Sequence, residues 1–478
     1  MNIFKQRATT GFETKLTKAS LIASDFIILF SSIFFAYYIS TSDDFSLDVN
    51  EIIDSTIRLG LFLLCSFIIV IWFWTIKRHY TYRKPFWDEL YDIITIVFKV
   101  ALFNLALLVL TKSHLSVLTW CYVWGITLIL LPLGRVFTKM LLKKLGFWYI
   151  DCVIIGKSDT AKRAVKALKS DQSLGYLTNV FIEPDSNNVF IIDENKYISL
   201  EEFLQNKDNY QKVFVALEKD QETLLEKWVM RLNQAGFRDI SVIPSLSGAP
   251  LYSAEIFHIF SHEIILLQLH NNLAKRSSRL VKRTFDILVS SILLLVLSPL
   301  FLYLSCMIRK DGGNATYSQI RVGRNGKVFR CYKFRTMVTN SDEILQELLE
   351  SNKKAKREWK LNHKLKNDPR ITPIGEFLRK TSLDELPQLW NVLKGEMSLI
   401  GPRPIVRSEL HYYKDNMSYY YMVRPGLSGL WQVSGRSDTS YEHRVYLDAW
   451  YVKNWSLWND IIILYKTIKV VLMRKGAY

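Results

Sequence analysis

Four runs of apolar residues open the chain, at about residues 21–39, 59–76, 93–110 and 118–133. Each approaches the roughly 20 residues that a helix needs to cross the hydrocarbon core of a bilayer, which predicts four transmembrane helices. The charges between them set an orientation. Lys5, Arg7, Lys15 and Lys18 precede the first run, whereas Asp43, Asp44, Asp48, Glu51 and Asp54 follow it with no basic residue among them. Lys77, Arg78, Arg83 and Lys84 follow the second, and Arg135, Lys139, Lys143 and Lys144 follow the fourth. Basic flanks stay in the cytoplasm, so both ends of the bundle are expected there, with everything after about residue 145. No small-residue cleavage site follows the first run, which is read as an uncleaved span.

From Trp148 the pattern changes to alternating strands and helices. YIDCVIIG, VFVAL and ISVIP read as buried strands, AKRAVKALKS and ETLLEKWVMRLNQAG as helices. This predicts a small Rossmann-like α/β domain with a parallel sheet over residues 146–270. Its first turn, Gly156 to Ala161, has one glycine where a dinucleotide fingerprint has three, leaving both a bound nucleotide and a structural or regulatory role open.

A basic linker with Lys275, Arg276, Arg279, Lys282 and Arg283 leads into a fifth apolar stretch, residues 285–308. Ser298-Pro299 interrupts its middle, and a proline there costs about 3 kcal/mol unless the helix kinks. Its flanks are basic at both ends, with Arg309 and Lys310 beyond it, so both ends belong on one face of the membrane. A re-entrant helix broken at Ser298 and Pro299 satisfies both constraints, and residues 271–310 are assigned to linker and re-entrant helix.

Residues 311–478 then read as a mainly helical, monotopic catalytic domain, entered through a hairpin about Arg324-Asn325-Gly326. Lys333 and Arg335 alternate with Phe334 on one face of a strand. The glycine-containing stretch from Arg424 to Arg436 is a candidate phosphate loop. The C-terminal VYLDAWYVKNWSLWNDIIILYKTIKVVLMRK reads as an interfacial amphipathic helix with Trp450, Trp455 and Trp458 at headgroup level. The fold class is thus a membrane protein of α+β type: a transmembrane bundle over residues 1–145, an α/β domain, a re-entrant helix and a catalytic domain.

Composition narrows the chemistry. A chain of 478 residues with 49% hydrophobic and 13% aromatic content and a net charge of +17 suits anionic lipid and phosphate substrates. It carries no zinc-finger spacing, RNA-binding signature or arginine-rich arm, which argues against nucleic acid. Five scattered cysteines exclude a disulfide framework, and eight histidines without HExxH argue against a zinc enzyme.

The candidate chemistry lies in LDELPQLWNVLKGEMSLIGPRP, where Asp384 and Glu385 adjoin Arg379, Lys380 and Arg403, with Arg424 and Arg436 further on. Adjacent acids are ordinarily a solvated helix face. Ringed by guanidinium groups, they also supply what phosphoryl transfer from a diphosphate needs: one carboxylate to hold a cation or attack phosphorus, and forks to take the phosphate oxygens. Neighbours on a helix do not face each other, so two acting acids act in different roles.

KFRTM at 333–337, the DELPQLWNVLKGEMSLIGPRP block and RPGLSGLWQVSGR together resemble the bacterial sugar transferases that initiate surface polysaccharides, the polyprenyl-phosphate hexose-1-phosphate transferases. HYTYRKPFWDEL, NNLAKRSSR, YVKNWSLWND and the terminal GAY extend the resemblance over the whole chain, to the subgroup that transfers galactose 1-phosphate. Thr336 replaces the serine of the KFRSM form, a conservative change.

The resemblance implies transfer of a hexose 1-phosphate from a UDP-sugar to undecaprenyl phosphate, with UMP released and Mg²⁺ required. It implies a bacterial inner membrane location with the catalytic domain facing the cytoplasm, and a homodimer. UDP-galactose is the implied donor and UDP-glucose the alternative. Asp384 would be the nucleophile and Glu385 the metal ligand. Lys333, Arg335, Arg403, Arg424 and Arg436 would hold phosphate or uridine diphosphate oxygens, and Lys282 and Arg283 either contact the lipid phosphate or anchor the helix. Rival readings are a membrane-anchored nucleotide-dependent oxidoreductase or dehydratase built on the α/β domain, and a non-enzymatic scaffold that recruits glycosyltransferases.

Overall fold

The computed structural model describes residues 11–40, 49–113, 116–156, 159–182, 190–192, 195–198, 200–206, 209–218, 222–237, 240–244, 255–258, 265–268, 272–362, 365, 368–435 and 440–473. Most of the acidic segment after the first span, Arg436 and the terminal GAY lie outside them. The chain divides into two compact units, Met1–Leu246 and Ser247–Tyr478.

The first unit opens with four long helices, α1 (Gly11–Ser40), α2 (Val49–Thr75), α3 (Phe86–Leu110) and α4 (Val117–Lys144). All four are long and apolar enough to cross a membrane, which makes this a membrane-associated protein. Phe62, Ile69, Phe73, Ile93, Ile96, Trp124 and Leu131 pack inward. Phe30, Phe34, Phe67, Trp74 and Phe98 stand exposed on the outside, an arrangement that water would penalise and hydrocarbon does not.

The α/β part of this unit comprises β1 (Ile150–Ile155), α5 (Asp159–Ser170), β2 (Tyr176–Ile182), β3 (Phe190–Ile192), β4 (Asn195–Ile198), α6 (Leu200–Gln205), β5 (Lys212–Val215), α7 (Glu222–Gln234) and β6 (Ile240–Val242). They form one six-stranded sheet in the order β3-β4-β2-β1-β5-β6, parallel except for the antiparallel edge strand β3. Alternation along β1 sends Val153 and Ile155 into one apolar cluster with Trp228, and Cys152 and Ile154 into another with Val165. Both faces are therefore covered, which is why β1 is apolar at nearly every position. Gly156 ends it at φ +136°, where a Cβ would lie 2.2 Å from the carbonyl oxygen of Ala216. This one glycine lets two strand ends approach.

The second unit begins with the hairpin β7 (Glu255–His258) and β8 (Ile265–Gln268), then α8 (Arg276–Val296) and α9 (Ser298–Ile308). The two helices meet at a 61° bend. Pro299 stands in the first turn of α9, where its missing N–H leaves no bond unmade, and Ser298 Oγ returns to the carbonyl of Leu295 at 2.7 Å. The break expected at Ser298-Pro299 is present as this kink.

The rest comprises the hairpin β9 (Thr316–Val322) and β10 (Val328–Phe334), helices α10 (Ser341–Ser351), α11 (Lys353–Asn362), α12 (Pro373–Thr381) and α13 (Gln388–Lys394), strand β11 (Ser398–Ile400), α14 (Met417–Met422), β12 (Gly426–Ser428), α15 (Leu430–Val433), α16 (Tyr441–Lys453) and α17 (Leu457–Leu472). One core joins Leu389, Val392, Met397, Leu399, Tyr451, Val452 and Trp455, with Phe285, Val289 and Leu293 of α8 against it.

Two expectations change here. The RPGLSGLWQVSGR stretch is no open phosphate loop: Gly426 lies in β12, paired in parallel with β11, and a Cβ on it would stand 2.1 Å from the backbone nitrogen of Gly401. Nor does the C-terminus form one interfacial helix. It folds into α16 and α17, and Trp455 is buried between them with its Nε1 donating to Asp460 at 3.1 Å, rather than lying at a headgroup surface.

Candidate functional site

Asp384 and Glu385 lie on a single 3-10 turn, Leu383–Glu385, between α12 and α13. The preceding Ser382 takes left-handed backbone angles (φ 56°) as it caps α12, and Pro387 follows before α13 begins. The tight turn changes the expectation that neighbouring acids diverge. Lys333, near the end of β10, reaches both, with Nζ 2.7 Å from Glu385 Oε1 and 3.4 Å from Asp384 Oδ2.

Asn391 sets that meeting. Fully buried on α13, it accepts from the N–H of Tyr332 at 3.0 Å and donates to the carbonyl of Arg330 at 2.7 Å and to Glu396 at 2.6 Å. Its carboxamide thus stitches the helix after the dyad to the strand that carries Lys333.

The electrostatics are coupled. Asp384, the more enclosed acid, is raised above the ordinary carboxylate range, first by burial and then by Glu385, against the opposing pull of Lys333 and Arg379. Burial works against the charge on Lys333, but Glu385 and Asp384 outweigh it and hold its pKa above the usual lysine value. Tyr317, opposite Lys333 on β9, is raised chiefly by burial. Arg379 Nε donates to Thr336 Oγ1 at 3.0 Å, which brings the conservative threonine of KFRTM into the same cluster.

Arg403 and Arg444 flank a common ring, their guanidinium carbons 5.5 and 4.7 Å from the centre of Trp431. Arg403 is crowded enough that desolvation, and then Arg444, lower its pKa, while Glu385 raises it. Arg444 is new to the site. Among the described residues its buried Nε and Nη2 find no hydrogen-bond partner, nor do Trp431 Nε1, Gln432 Oε1 and the hydroxyl of Tyr441. So many unmet polar atoms in one place mark a ligand surface. Arg444 stands in the first turn of α16, one residue before the segment whose aromatics suggested a membrane surface, and no spacing pointed to it.

The other sequence-predicted cations go elsewhere. Arg335 lies just beyond β10 and donates to the carbonyls of Asn314, Ile308 and Met337 at 2.7, 3.0 and 3.3 Å, bracing the chain after α9. Arg283 donates to the carbonyls of Val392 and Leu393 at 2.7 and 2.8 Å, and Arg424 to that of Gly395 at 2.6 Å. Both guanidinium groups satisfy the C-terminus of α13, where positive charge is favoured. Lys282 is buried with Nζ 2.7 Å from Asp460, 3.0 Å from the carbonyl of Ile400 and 3.2 Å from the hydroxyl of Tyr451. Of the two roles open to Lys282 and Arg283, the contacts are those of an anchor. Arg436 lies outside the described residues.

The dyad presents hard oxygen donors to a divalent cation. Among the described residues no group of three or more His, Cys, Asp or Glu gathers as a metal cage. Two carboxylates are donors of the kind Mg²⁺ takes, its shell otherwise filled by water and substrate phosphate.

Apolar spans joined to an enclosed acid–base cluster define a membrane-associated enzyme that handles anionic groups. Residues 277–474 match the bacterial sugar transferase family. An uncharacterized sugar transferase of Haemophilus influenzae is 49% identical over 94% of this chain and 95% of its own. An undecaprenyl-phosphate galactose phosphotransferase of Salmonella typhimurium is 50% identical over 88% of this chain and 89% of its own. A UDP-galactose-lipid carrier transferase of Erwinia amylovora is 44% identical over 98% of both. The chain belongs to the bacterial sugar transferases and is an enzyme of that family.

Proposed function

We propose that the protein transfers a hexose 1-phosphate, galactose 1-phosphate before glucose 1-phosphate, from a UDP-sugar to undecaprenyl phosphate as the first step of O-antigen or capsular repeat-unit synthesis. The observation that carries this reading is the one ammonium, Lys333, held against both Asp384 and Glu385. Near-full-length likeness to the relatives named for galactose favours that donor.

A carboxylate oxygen of Asp384 attacks the sugar-bearing phosphorus, and the bond to the UMP oxygen breaks. The lipid phosphate oxygen then attacks the same phosphorus, and the Asp384 carboxylate is restored. Lys333 offsets one of the two negative charges of the dyad while Asp384 becomes phosphorylated. Arg403 and Arg444 take the nucleotide phosphates, with Trp431 and Tyr441 beside them. Mg²⁺, held by Glu385, would screen the negative charge gathering on the diphosphate. The 61° kink supports a re-entrant α8–α9 that enters and leaves on one face, with the catalytic domain on the cytoplasmic side of the inner membrane. The mainly parallel sheet supports a Rossmann-like α/β domain. The family resemblance supports a homodimer, which the mass of the solubilised particle tests.

The deciding experiment measures UMP release in lipid with undecaprenyl phosphate and Mg²⁺, offering UDP-galactose and UDP-glucose separately to wild type and Asp384→Ala. UMP from UDP-galactose alone, lost in the variant, is the expected result. Release from UDP-glucose alone overturns the donor, and activity surviving in Asp384→Ala overturns the nucleophile.

A further inference from the structure

The transfer reaction leaves the KRHYTYRK segment between α2 and α3 unused, yet it carries the densest ionic cluster of the first unit. Arg135 of α4 binds Asp25 through Nε at 2.9 Å and Nη2 at 2.5 Å, and its Nη1 meets His79 Nδ1 at 2.6 Å and Glu89 at 3.1 Å. Asp92 takes Lys77, Lys84 and His79 at 2.6, 2.7 and 3.0 Å, and Lys139 closes on Glu89. Three carboxylates thus meet four cations, with Lys77 and Lys84 sharing Asp92.

Beside them opens a pocket on which Lys18, Arg83, Lys84 and Lys139 converge, walled in part by Leu21 and Trp148. Lys84 and Lys139 are matched by Asp92 and Glu89. Among the described residues, Lys18 and Arg83 have no carboxylate partner. Arg83 spends Nη1 on the carbonyls of Leu174 and Gly175, at 2.8 and 3.1 Å, and its guanidinium carbon lies 4.4 Å from the centre of the Trp148 ring. Burial pushes its pKa down to about 10, the mark of a charge enclosed without its counter-charge.

We propose that this pocket binds the phosphate headgroup of an anionic lipid. The phosphate would sit between Lys18 and Arg83, with its apolar portion toward Leu21. Two observations favour a lipid over a soluble phosphate. The pocket lies at the ends of two candidate spans, since Lys18 and Leu21 belong to α1 and Lys139 to α4. Its walls combine cations with apolar and aromatic side chains, the mixture an amphiphile meets at the headgroup plane. The two unmatched cations supply the charge of one phosphate. Bulk phospholipid and undecaprenyl phosphate share this chemistry. The site is separate from the Asp384 dyad, so it does not rest on the proposed reaction.

The test is native mass spectrometry of the full chain released from phosphatidylcholine nanodiscs doped with phosphatidylglycerol or undecaprenyl phosphate, or supplied with inorganic phosphate or UMP. Wild type is expected to retain a phosphate lipid. Lys18→Gln and Arg83→Gln are each expected to lower retention at least tenfold, with UMP release unchanged in Lys18→Gln. Lys18 is exposed, and among the described residues its side chain makes no hydrogen bond or ion pair, so that variant decides the matter if Arg83→Gln misfolds. Retention of both lipids marks a general headgroup site, and of undecaprenyl phosphate alone a site for that lipid; either supports the proposal. Equal retention by wild type and Lys18→Gln, no retained lipid, or retention of the soluble phosphates alone overturns it.

Discussion

The side-chain oxygen of Asn391 accepts the backbone N–H of Tyr332 at 3.0 Å, one residue before the lysine that bridges the acidic pair. Because the same carboxamide donates to Arg330 and Glu396, a single residue fixes both position and angle of β10 against α13. Asn391→Ala leaves buried backbone groups unmet and should cost about 1–3 kcal/mol. Thermal unfolding followed by tryptophan fluorescence measures the loss. UMP release should fall through kcat more than through KM for the donor, since Asn391 acts on the placement of Lys333.

Lys333 carries charge compensation for two acids at once. Its replacement by methionine should lower UMP release by ~100-fold or more, the range seen when one preorganised charge-stabilising group is removed. The pH profile supplies an independent sign. Lys333 opposes the burial that raises Asp384, so its loss must raise that carboxyl further. The acid limb of the kcat profile should therefore move to higher pH in Lys333→Met, and Lys333→Arg should restore most of the shift. An unmoved limb would separate Lys333 from the titrating acid.

Much of this site was readable from residues, and what escaped did so for identifiable reasons. Length and apolarity marked the four spans, and the proline marked the kink. The alternation of Lys333 with Phe334 placed the lysine on a strand. Pattern could not reveal that Asp384 and Glu385 share a 3-10 turn, because that depends on Ser382 adopting left-handed angles. Arginines near the dyad in sequence looked like phosphate ligands, yet Arg283 and Arg424 cap α13. Helix termini and phosphates both present oxygens to a guanidinium, and only distance separates the two uses. Asn391 and Arg444 carry no local signature, because the strand partners of Asn391 lie 59 and 61 residues away and Arg444 Nε and Nη2 meet no hydrogen-bond partner among the described residues. Strands β2 to β4 escaped for lack of a clean alternation to announce them.

Asp448 predicts a pH dependence of stability. Buried on α16 and accepting from the hydroxyl of Tyr413 at 2.8 Å, it is pushed up to about 7, first by burial, with Tyr413, Arg444 and Arg403 pulling the other way. The folded protein then holds a proton that the unfolded chain, with an ordinary carboxylate near 4, has released. This contribution is complete below about pH 4, falls as pH rises toward 7, and is flat above. Melting temperature should decline more steeply between pH 5 and 7 in wild type than in Asp448→Asn, which keeps an acceptor for Tyr413 and cannot ionise. Parallel curves would show that Asp448 does not titrate in that window.

Lys282 separates an anchor from a ligand. Its pairing with Asp460 lies in the core, where the hydroxyl of Tyr451 and Nε1 of Trp455 also donate to the same carboxylate. Burial raises Asp460, and Lys282 is the first of the groups that hold it down. Lys282→Met should therefore destabilise the second unit by about 3–5 kcal/mol, because a buried charge loses its partner. Replacing both partners, Lys282→Met with Asp460→Leu, should recover a substantial part of that loss. The recovered double variant is the instrument for the functional question. If Lys282 anchors α8, the double variant keeps the wild-type KM for undecaprenyl phosphate in the UMP-release assay. A KM raised tenfold in a protein that still unfolds cooperatively would return Lys282 to the lipid phosphate.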